Sequence, residues 1–264
     1  MKQRVISAIV LSALGAVCLP FKIARVSLLG IISLCCAYEL CINYDRQLNI
    51  KVAAWVLYVF LIVQVILALT DCGIMAHFAW YAFAVCLALF SGILRTDIKG
   101  PGAVYTLAAL SYPGFPAAMC IFIAASKRWL PTFALGLLAT ICCDSFAYIG
   151  GRRFGRHKLA PNISPSKTIE GSVIGGLMSV IAGILVWLVS RRFLPLPFLP
   201  CIVTALAAST AGQIGDLSES LLKRYLGIKD ASHLIPGHGG MLDRFDSMLF
   251  AIPTSYFCLY AFGL

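Results

Sequence analysis

The sequence predicts an all-α, polytopic integral membrane protein, and three observations support that fold class. Hydrophobic residues make up 60% of the 264 residues and charged residues only 12%, whereas soluble domains carry roughly 25% charged residues. The mean hydropathy is +0.90. Apolar runs of bilayer length recur along the whole chain. These observations exclude an ordinary soluble enzyme, and the high apolar content also excludes a disordered chain.

About nine apolar runs approach the roughly 20 residues that a helix needs to cross a bilayer. Their predicted bounds are 5–19, 23–42, 52–70, 73–94, 101–125, 129–150, 172–190, 196–215 and 247–264. Only Asp71 and Cys72 separate the third run from the fourth. Pro113 and Pro116 interrupt the fifth run, so we expect a kinked or re-entrant segment there. Eight and ten helices therefore stay open as alternatives.

The first run follows Lys2 and Arg4, as the apolar region of a signal peptide would. The residues before Cys18 make a poor processing site, and Pro20 leads directly into the second run. We therefore interpret the first run as a retained helix, with a cleaved signal peptide as the alternative.

Basic residues are distributed unevenly between the two sides of the predicted bundle. With nine helices, 15 of the 21 Lys and Arg residues fall at the N-terminus and after even-numbered helices, and six fall on the opposite side. Because Lys and Arg favour the cytoplasmic side, we predict a cytoplasmic N-terminus and two long cytoplasmic polar connections. The net charge of +10 then fits a protein at anionic lipid, and we expect no nucleic-acid partner.

Acidic residues concentrate near the C-terminal end of the chain. Five of the 11 lie within about thirty residues after the eighth run, namely Asp216, Glu219, Asp230, Asp243 and Asp246. Spacings of three place Asp216 and Glu219 on one helix face, and Asp243 and Asp246 on another. Mg²⁺ takes oxygen ligands from one or two carboxylates, water and substrate phosphates, so these pairs are candidate ligands. For the first pair, an ordinary helix start with Glu219 bonded to Lys223 is the alternative.

Asp144 lies deep in the sixth run, where a carboxylate is costly and is by default a functional candidate. Pairing with a nearby Arg or with the backbone is the alternative. Zinc is disfavoured, because His233 and His238 have no third strong nitrogen or sulfur ligand nearby. The 11 cysteines lie mostly in or beside apolar runs, as small buried hydrophobic residues do.

Two polar connections contain groups that suit phosphates. Glycines surround His238 at positions 237, 239 and 240, and closely spaced glycines let a backbone approach a bulky anion. In the other connection, Ser164, Lys167 and Thr168 precede a helix that enters the membrane, and free amides at a helix N-terminus favour anions. We therefore expect cations, carboxylates and glycines to meet at one membrane face.

These residues resemble the CDP-diacylglycerol synthases, also called phosphatidate cytidylyltransferases. The family signature matches Ser220, Lys223, Arg224, Lys229, Asp230, Pro236, Gly237, His238, Gly239, Gly240, Asp243, Arg244 and Asp246. An upstream family pattern matches Asp144, Ser145, Ala147, Tyr148, Gly150, His157, Lys158, Leu159, Pro161, Ser164, Pro165, Lys167, Thr168 and Gly171. The resemblance covers roughly residues 144–247.

The resemblance implies a Mg²⁺-dependent transfer of a cytidylyl group from CTP to phosphatidic acid, which gives CDP-diacylglycerol and pyrophosphate. It implies that residues 129–264 form the catalytic region and residues 1–128 the N-terminal helices. The compact size and the lack of a clear cleavable targeting segment predict a bacterial inner membrane, with an organelle membrane as the alternative. The distribution of Lys and Arg predicts that the active site faces the cytoplasm. A homodimer is an open option.

The resemblance also implies roles for individual residues. Candidate ligands for one or two Mg²⁺ ions, or a monovalent ion sharing the cluster, are Asp216, Asp243 and Asp246, with Asp144 and Glu219 as further candidates. The implied catalytic residues are Asp216, Asp243, Asp246 and Lys223. The implied substrate-binding residues are Ser164, Lys167, Thr168, Arg224, Gly237, His238, Gly239, Gly240 and Arg244. A structural or hydrogen-bonding role is expected for His238, because the attacking phosphate is already largely ionised and needs no base.

Two other classes stay open at this stage. A secondary transporter would also carry charged residues at membrane depth, although the two halves of this chain show no internal repeat. A related transferase could use another lipid acceptor, such as a phosphorylated isoprenoid or an ether lipid.

Overall fold

The computed structural model describes residues 15, 17–192, 195–232, 234 and 239–264. Most of the predicted first helix, at 5–19, lies outside these residues, and so do Gly237, His238 and His233. The chain forms two compact units. One consists of Met1–Ser126 and Tyr225–Arg244, and the other of Lys127–Arg224 and Phe245–Leu264.

The first unit contains five described helices. They are α1 (Lys22–Leu48), α2 (Ala54–Leu69), α3 (Ile74–Leu94), α4 (Lys99–Ala109) and α5 (Phe115–Ala125). Helix α1 packs against α2 and α5, and α3 packs against α4. The core contains large side chains that are almost fully buried, among them Tyr44, Leu57, Phe60 and Ile121. Between helices of membrane character, such packing stabilises the unit through van der Waals contact.

A π-helical turn at Leu110–Gly114 separates α4 from α5. Within it, Tyr112 leaves the helical conformation, with φ −147° and ψ 121°. Pro113 causes the break, because it has no N–H to donate and its ring obstructs the preceding turn. The predicted interruption of the fifth apolar run is therefore confirmed.

The second unit contains the long helix α6 (Trp129–Phe154), a β-hairpin and four further helices or parts of helices. The elements are β1 (Lys158–Ala160), β2 (Ser164–Thr168), α7 (Ile169–Met178), α8 (Val180–Ser190), α9 (Phe198–Tyr225) and α10 (Leu242–Ala261), whose first turn belongs to the first unit. Helix α6 packs against α7 and α8. The core is rich in small residues, including Ala139, Ala182, Ala205 and Ala208, which let helices approach closely.

The hairpin is the one departure from an all-α fold among the described residues. The strands are antiparallel, with Lys158 opposite Thr168 and Ala160 opposite Ser164. Pro161 and Asn162 begin the turn between them, and both are residues that favour turns. The sequence predicted an irregular polar connection here, because strands this short show no clear apolar alternation.

Six described helical stretches are long and apolar enough to cross a membrane, so the chain is a mostly helical protein of membrane character. They are Lys22–Leu48, Ile74–Leu94, Lys99–Ala125, Trp129–Phe154, Ile169–Ser190 and Phe198–Tyr225. Helix α2, with 16 residues, is apolar but shorter than the roughly 17 residues needed. The count of about nine stays a prediction.

Candidate active site

A polar cavity of about 430 Å³ opens within the second unit. Its walls come from α6, the hairpin, α7 and α9. Its charged lining residues are Asp144, Arg152, Lys158, Lys167 and Asp216, and its uncharged polar lining residues include Tyr148, Ser166, Thr168, Ser172 and Gln213. A concave site with a few convergent polar groups is the usual form of a small-molecule site.

Lys167 and Asp216 form an ion pair inside this cavity. Lys167 lies on β2 and Asp216 on α9, and both side chains are partly exposed, at 27% and 29%. The Ser220 hydroxyl, one turn further along α9, donates to Asp216 Oδ1 over 3.4 Å. The hairpin therefore brings a predicted phosphate-binding cation to a predicted metal ligand.

Asp246 lies on α10 and interacts electrostatically with Asp216 of α9. It stands in the polar start of that helix, ahead of the apolar run predicted at 247–264. Burial, followed by the charge of Asp216, raises the pKa of Asp246 to about 7. The backbone N–H of Ser247 donates to Asp246 Oδ1 over 2.6 Å. A buried carboxylate held beside a second carboxylate forms a site that favours a cation.

The donor set fits Mg²⁺ in its chemistry. Asp144 and Asp216 line the same cavity, Asp216 acts electrostatically on Asp246, and all three offer hard oxygen donors. Among the described residues, no three His, Cys, Asp or Glu side chains are grouped so that together they could hold a metal ion. That arrangement is compatible with Mg²⁺, which usually takes one or two carboxylates and completes its shell with water and substrate phosphates.

The start of α7 borders the cavity and is capped by Thr168. The Thr168 hydroxyl accepts a hydrogen bond from the Gly171 N–H over 3.1 Å. The Ser172 hydroxyl, in the first turn, donates to Gln213 Oε1 of α9. The His157 carbonyl accepts from the Ile169 N–H over 2.9 Å, so at least two amides of this helix end already have partners within the protein.

Polar contacts fix the hairpin at both ends. The Glu170 carboxylate accepts hydrogen bonds from the backbone N–H groups of Arg156 and His157, over 3.1 and 3.2 Å, and from His157 Nδ1 over 2.7 Å. On the other side, Arg224 Nε donates to the Ile163 carbonyl over 3.2 Å. The predicted substrate residue Arg224 therefore contacts the turn that follows β1 and precedes Ser164.

Glu219 and Lys223 form an ion pair one turn apart on α9. The Glu219 side chain is 1% exposed and the Lys223 side chain 17%. The pairing that the spacing offered as an alternative is therefore confirmed. The predicted metal role of Glu219 and the predicted catalytic role of Lys223 stay predictions.

The remaining signature residues belong to the first unit. Asp243 Oδ2 accepts hydrogen bonds from the backbone N–H groups of Ala231 and Gly240, both over 2.9 Å. Gly239 has φ +87°, a conformation that favours glycine. The Arg244 side chain is exposed at the start of α10. Asp243 thus links Ala231, which precedes the glycine-rich residues 237–240, to Gly240 at their end. The spacing of the acidic residues alone did not indicate this role.

Four polar residues near these sites were not proposed from the sequence. Ser172 and Gln213 line the cavity, and Glu39 and Asn43 contact Met241 and Ala231, on either side of the glycine-rich residues 237–240. Gln213 offered no signal beyond its position in an apolar run. Glu39 did offer a signal in the sequence, because it is a carboxylate within the second apolar run. Inserting a carboxylate at membrane depth costs free energy, so such a residue is a functional candidate.

The sequence matches the model of the cytidylyltransferase family over residues 2–262. A Bacillus subtilis (strain 168) protein named phosphatidate cytidylyltransferase is 39% identical over 188 residues, which cover 69% of this chain and 67% of the relative. A Staphylococcus haemolyticus protein of that name is 42% identical over 172 residues, or 65% of each chain. A Thermotoga maritima protein of that name is 43% identical over 129 residues, or 46% of each chain. The chain matches about two thirds or less of the length of these relatives.

Proposed function

Because this chain belongs to the cytidylyltransferase family, we propose that it transfers the cytidylyl group of CTP to phosphatidic acid. The products are CDP-diacylglycerol and pyrophosphate. The name shared by the bacterial relatives supports the reaction and both substrates. The observation that carries the proposal is the Lys167–Asp216 pair in a cavity that also contains Asp144, Arg152 and Lys158. Such a cavity offers cations for phosphates and carboxylates for a metal.

The reaction requires the protein to align the two substrates and to neutralise their charge. A phosphate oxygen of phosphatidic acid attacks the α-phosphorus of CTP, and the bond from the α-phosphorus to the bridging oxygen of the β-phosphate breaks. Pyrophosphate leaves with that electron pair. The attacking phosphate is largely ionised at neutral pH, so no general base is required. Positioning and electrostatic stabilisation therefore account for the catalysis.

We propose that Asp216 and Asp246 hold Mg²⁺, with Asp144 beside them, and that Asp243 and Glu219 belong to the ligand set on the basis of the sequence motif. When bound, Mg²⁺ would neutralise charge on the triphosphate and the displaced pyrophosphate. One or two ions, or a monovalent ion sharing the cluster, are compatible with an all-oxygen donor set.

Lys167, which pairs with Asp216 in the cavity, would bind a substrate phosphate. Lys223 and Arg224 would bind phosphates from α9. Ser164, Thr168 and Arg244 complete the proposed substrate-binding set, together with the glycine-rich segment from Gly237 to Gly240 around His238. These assignments follow from the motifs, and the cavity supports them for Lys167 and Thr168.

The topology proposal extends the helices observed. We propose about nine spans from the lengths of the apolar runs. A cytoplasmic N-terminus and active site would follow from the distribution of Lys and Arg. The relatives are bacterial, which is compatible with the proposed location in a bacterial cell membrane. A homodimer is compatible with these proposals, and size analysis in detergent would test it.

The proposed reaction can be tested with purified protein in detergent, supplied with CTP, phosphatidic acid and Mg²⁺. We expect CDP-diacylglycerol and pyrophosphate in equal amounts. Asp216→Asn and Asp246→Asn should each lower the rate by at least a hundredfold at equal folded content. Asp97→Asn is the matched control, because Asp97 pairs with Arg95 on the surface of the other unit, outside the cavity.

Two outcomes would contradict the proposal. Turnover of CTP only with a lipid other than phosphatidic acid would assign the chain to another acceptor. Absence of product from folded protein with every nucleotide and divalent metal tried would exclude the transferase activity.

A further inference from the structure

Glu39 is a fully buried carboxylate in α1, with 0% of its surface exposed. Helix α1 is one of the stretches apolar enough to cross a membrane. A carboxylate in such a place costs roughly 2.5–3.5 kcal/mol on insertion scales, so its retention calls for strong compensating contacts. The contacts of Glu39 therefore indicate its role in the fold.

Both oxygens of Glu39 accept hydrogen bonds from residues that flank the glycine-rich segment. Oε1 accepts from the Met241 N–H over 2.8 Å, and Oε2 accepts from the Leu242 N–H over 2.8 Å. The Ser232 hydroxyl also donates to Oε1. Helix α10 begins at Leu242. Glu39 therefore caps α10 from another helix and satisfies amides that a helix start leaves without partners.

Asn43, one turn further along α1, contacts the chain on the other side of the glycine-rich segment. Its Nδ2 donates to the Ala231 carbonyl over 2.7 Å, while the Ala231 N–H donates to Asp243. The contacts of Glu39, Asn43 and Asp243 thus link residues 231–232 to residues 240–243.

The carboxylate also sits against the glycine motif. A β-carbon added at Gly240 would lie 2.8 Å from Glu39 Oε2 and 2.9 Å from Asp243 Oδ2. Real side chains essentially never approach so closely, so a side chain at residue 240 would displace one of these two carboxylates. The Gly240 backbone, the Asp243 carboxylate and the start of α10 form one fixed unit around Glu39.

We propose that Glu39 is a positioning residue for the cytidylyl transfer, and this inference rests on the function proposed above. Glu39 would act through its contacts with Ser232, Met241 and Leu242. It fixes the orientation of Asp243, which the motif assigns to the metal, and of Gly239 and Gly240, which the motif assigns to the nucleotide. Its loss should therefore alter the dependence of the rate on Mg²⁺ and CTP, while the dependence on phosphatidic acid changes less.

Glu39→Gln tests the proposal, because glutamine keeps the shape of the side chain but has a single acceptor oxygen. Its NH₂ group would face the N–H of Met241 or Leu242 and lose that hydrogen bond. Hydrogen bonds to charged groups are worth enough to predict a fall in kcat/KM for CTP of roughly tenfold to a hundredfold. We also expect a severalfold rise in the Mg²⁺ concentration that gives half-maximal rate. Glu39→Asp keeps both acceptors and should be intermediate.

The control variant is Ser33→Ala. Ser33 is a buried polar residue of the same helix whose hydroxyl donates only to the local Leu29 carbonyl. It should leave the Mg²⁺ and CTP dependence unchanged. Hydrogen exchange adds a readout that needs no activity, since the Met241 and Leu242 amides should lose protection in Glu39→Gln while the middle of α10 keeps it.

The outcomes separate the two proposals. If Glu39→Gln keeps the parental Mg²⁺ and CTP dependence, or loses rate only in proportion to its folded fraction, the positioning role is wrong. If the parent itself makes no CDP-lipid but the amides still lose protection in Glu39→Gln, the contact holds and the proposed reaction is wrong. If protection is unchanged, the inference fails regardless of the reaction.

Discussion

Gly215 lies so close to Asp246 that a β-carbon on residue 215 would stand 2.5 Å from the Asp246 carbonyl oxygen. Gly215 immediately precedes Asp216 on α9, and Asp246 lies on α10. The two helices therefore approach at the point where the two carboxylates interact, and only glycine permits that approach. The electrostatic coupling of Asp216 and Asp246 depends on a residue with no chemistry of its own.

Gly215→Ala should separate the two helices and weaken the site. We expect a loss of about 1–3 kcal/mol in the free energy of unfolding, as for overpacked cores, and at least a tenfold lower rate of CDP-lipid formation. The matched control is Gly176→Ala on α7, where a β-carbon would meet only Gln213 Nε2 at 3.8 Å. Thermal unfolding in detergent and the transfer assay would check both variants. Parental activity in Gly215→Ala would contradict the required approach.

Lys167→Met should separate catalysis from stability. The Lys167–Asp216 pair is partly exposed, and such pairs contribute about 0–1 kcal/mol. We expect a change in stability below about 1 kcal/mol but a loss of kcat/KM of roughly a hundredfold or more, because a phosphate-binding cation is removed.

Lys22→Met is the control for that change. Lys22 pairs with Asp71 over 2.6 Å in the other unit, so its loss should affect neither activity nor stability by much. Equal effects of the two variants on activity would argue against a substrate role for Lys167.

Asp246 should make stability and activity depend on pH in opposite directions. Its pKa in the folded protein is about 7, raised by burial and by Asp216, whereas an unfolded Asp titrates near 3.9. The folded state thus holds the proton more tightly, and this contribution to stability is lost as pH rises from about 4 to about 7. Metal binding requires the ionised form, so activity should rise over the upper part of that range.

Asp246→Asn should remove the pH dependence of stability and that of activity together. Without divalent metal at pH 8, the variant should unfold at a higher temperature than the parent, because no charge is buried. Added Mg²⁺ should raise the unfolding temperature of the parent and leave that of the variant unchanged. Unfolding curves between pH 5 and pH 8, with and without Mg²⁺, would check this. A variant that is less stable than the parent at pH 8 would contradict the predicted direction of the effect of pH on stability.

Local patterns predicted much of the helical framework. The run at 73–94 corresponds closely to α3 (Ile74–Leu94), because its apolar residues end where the helix ends. The run at 23–42 underestimates α1 (Lys22–Leu48), because the last turns are polar while the helix continues. Hydropathy measures the apolar part of a helix and carries no signal for its polar extension.

Among the pairings of the candidate site residues, the sequence indicated one that lies within a single helix and missed those that join different elements. Spacing placed Asp216 and Glu219 on one face and indicated the Glu219–Lys223 pair, since both lie within one helix. The contacts of Lys167 with Asp216 and of Glu39 with Met241 join residues 49 and 202 positions apart. Such contacts depend on how helices pack, and a single sequence has no periodic signal for them.

Lys223 can be tested for catalysis apart from its structural pairing with Glu219. Lys223→Met leaves the buried Glu219 carboxylate without its ion-pair partner on α9, and removing one member of a buried pair costs roughly 3–5 kcal/mol. The double variant Glu219→Gln with Lys223→Met removes the charge as well, so most of that stability should return. If Lys223 binds substrate phosphate, the double variant will fold yet stay at least tenfold slower than Glu219→Gln alone. A double variant as active as Glu219→Gln would restrict Lys223 to the structural pair.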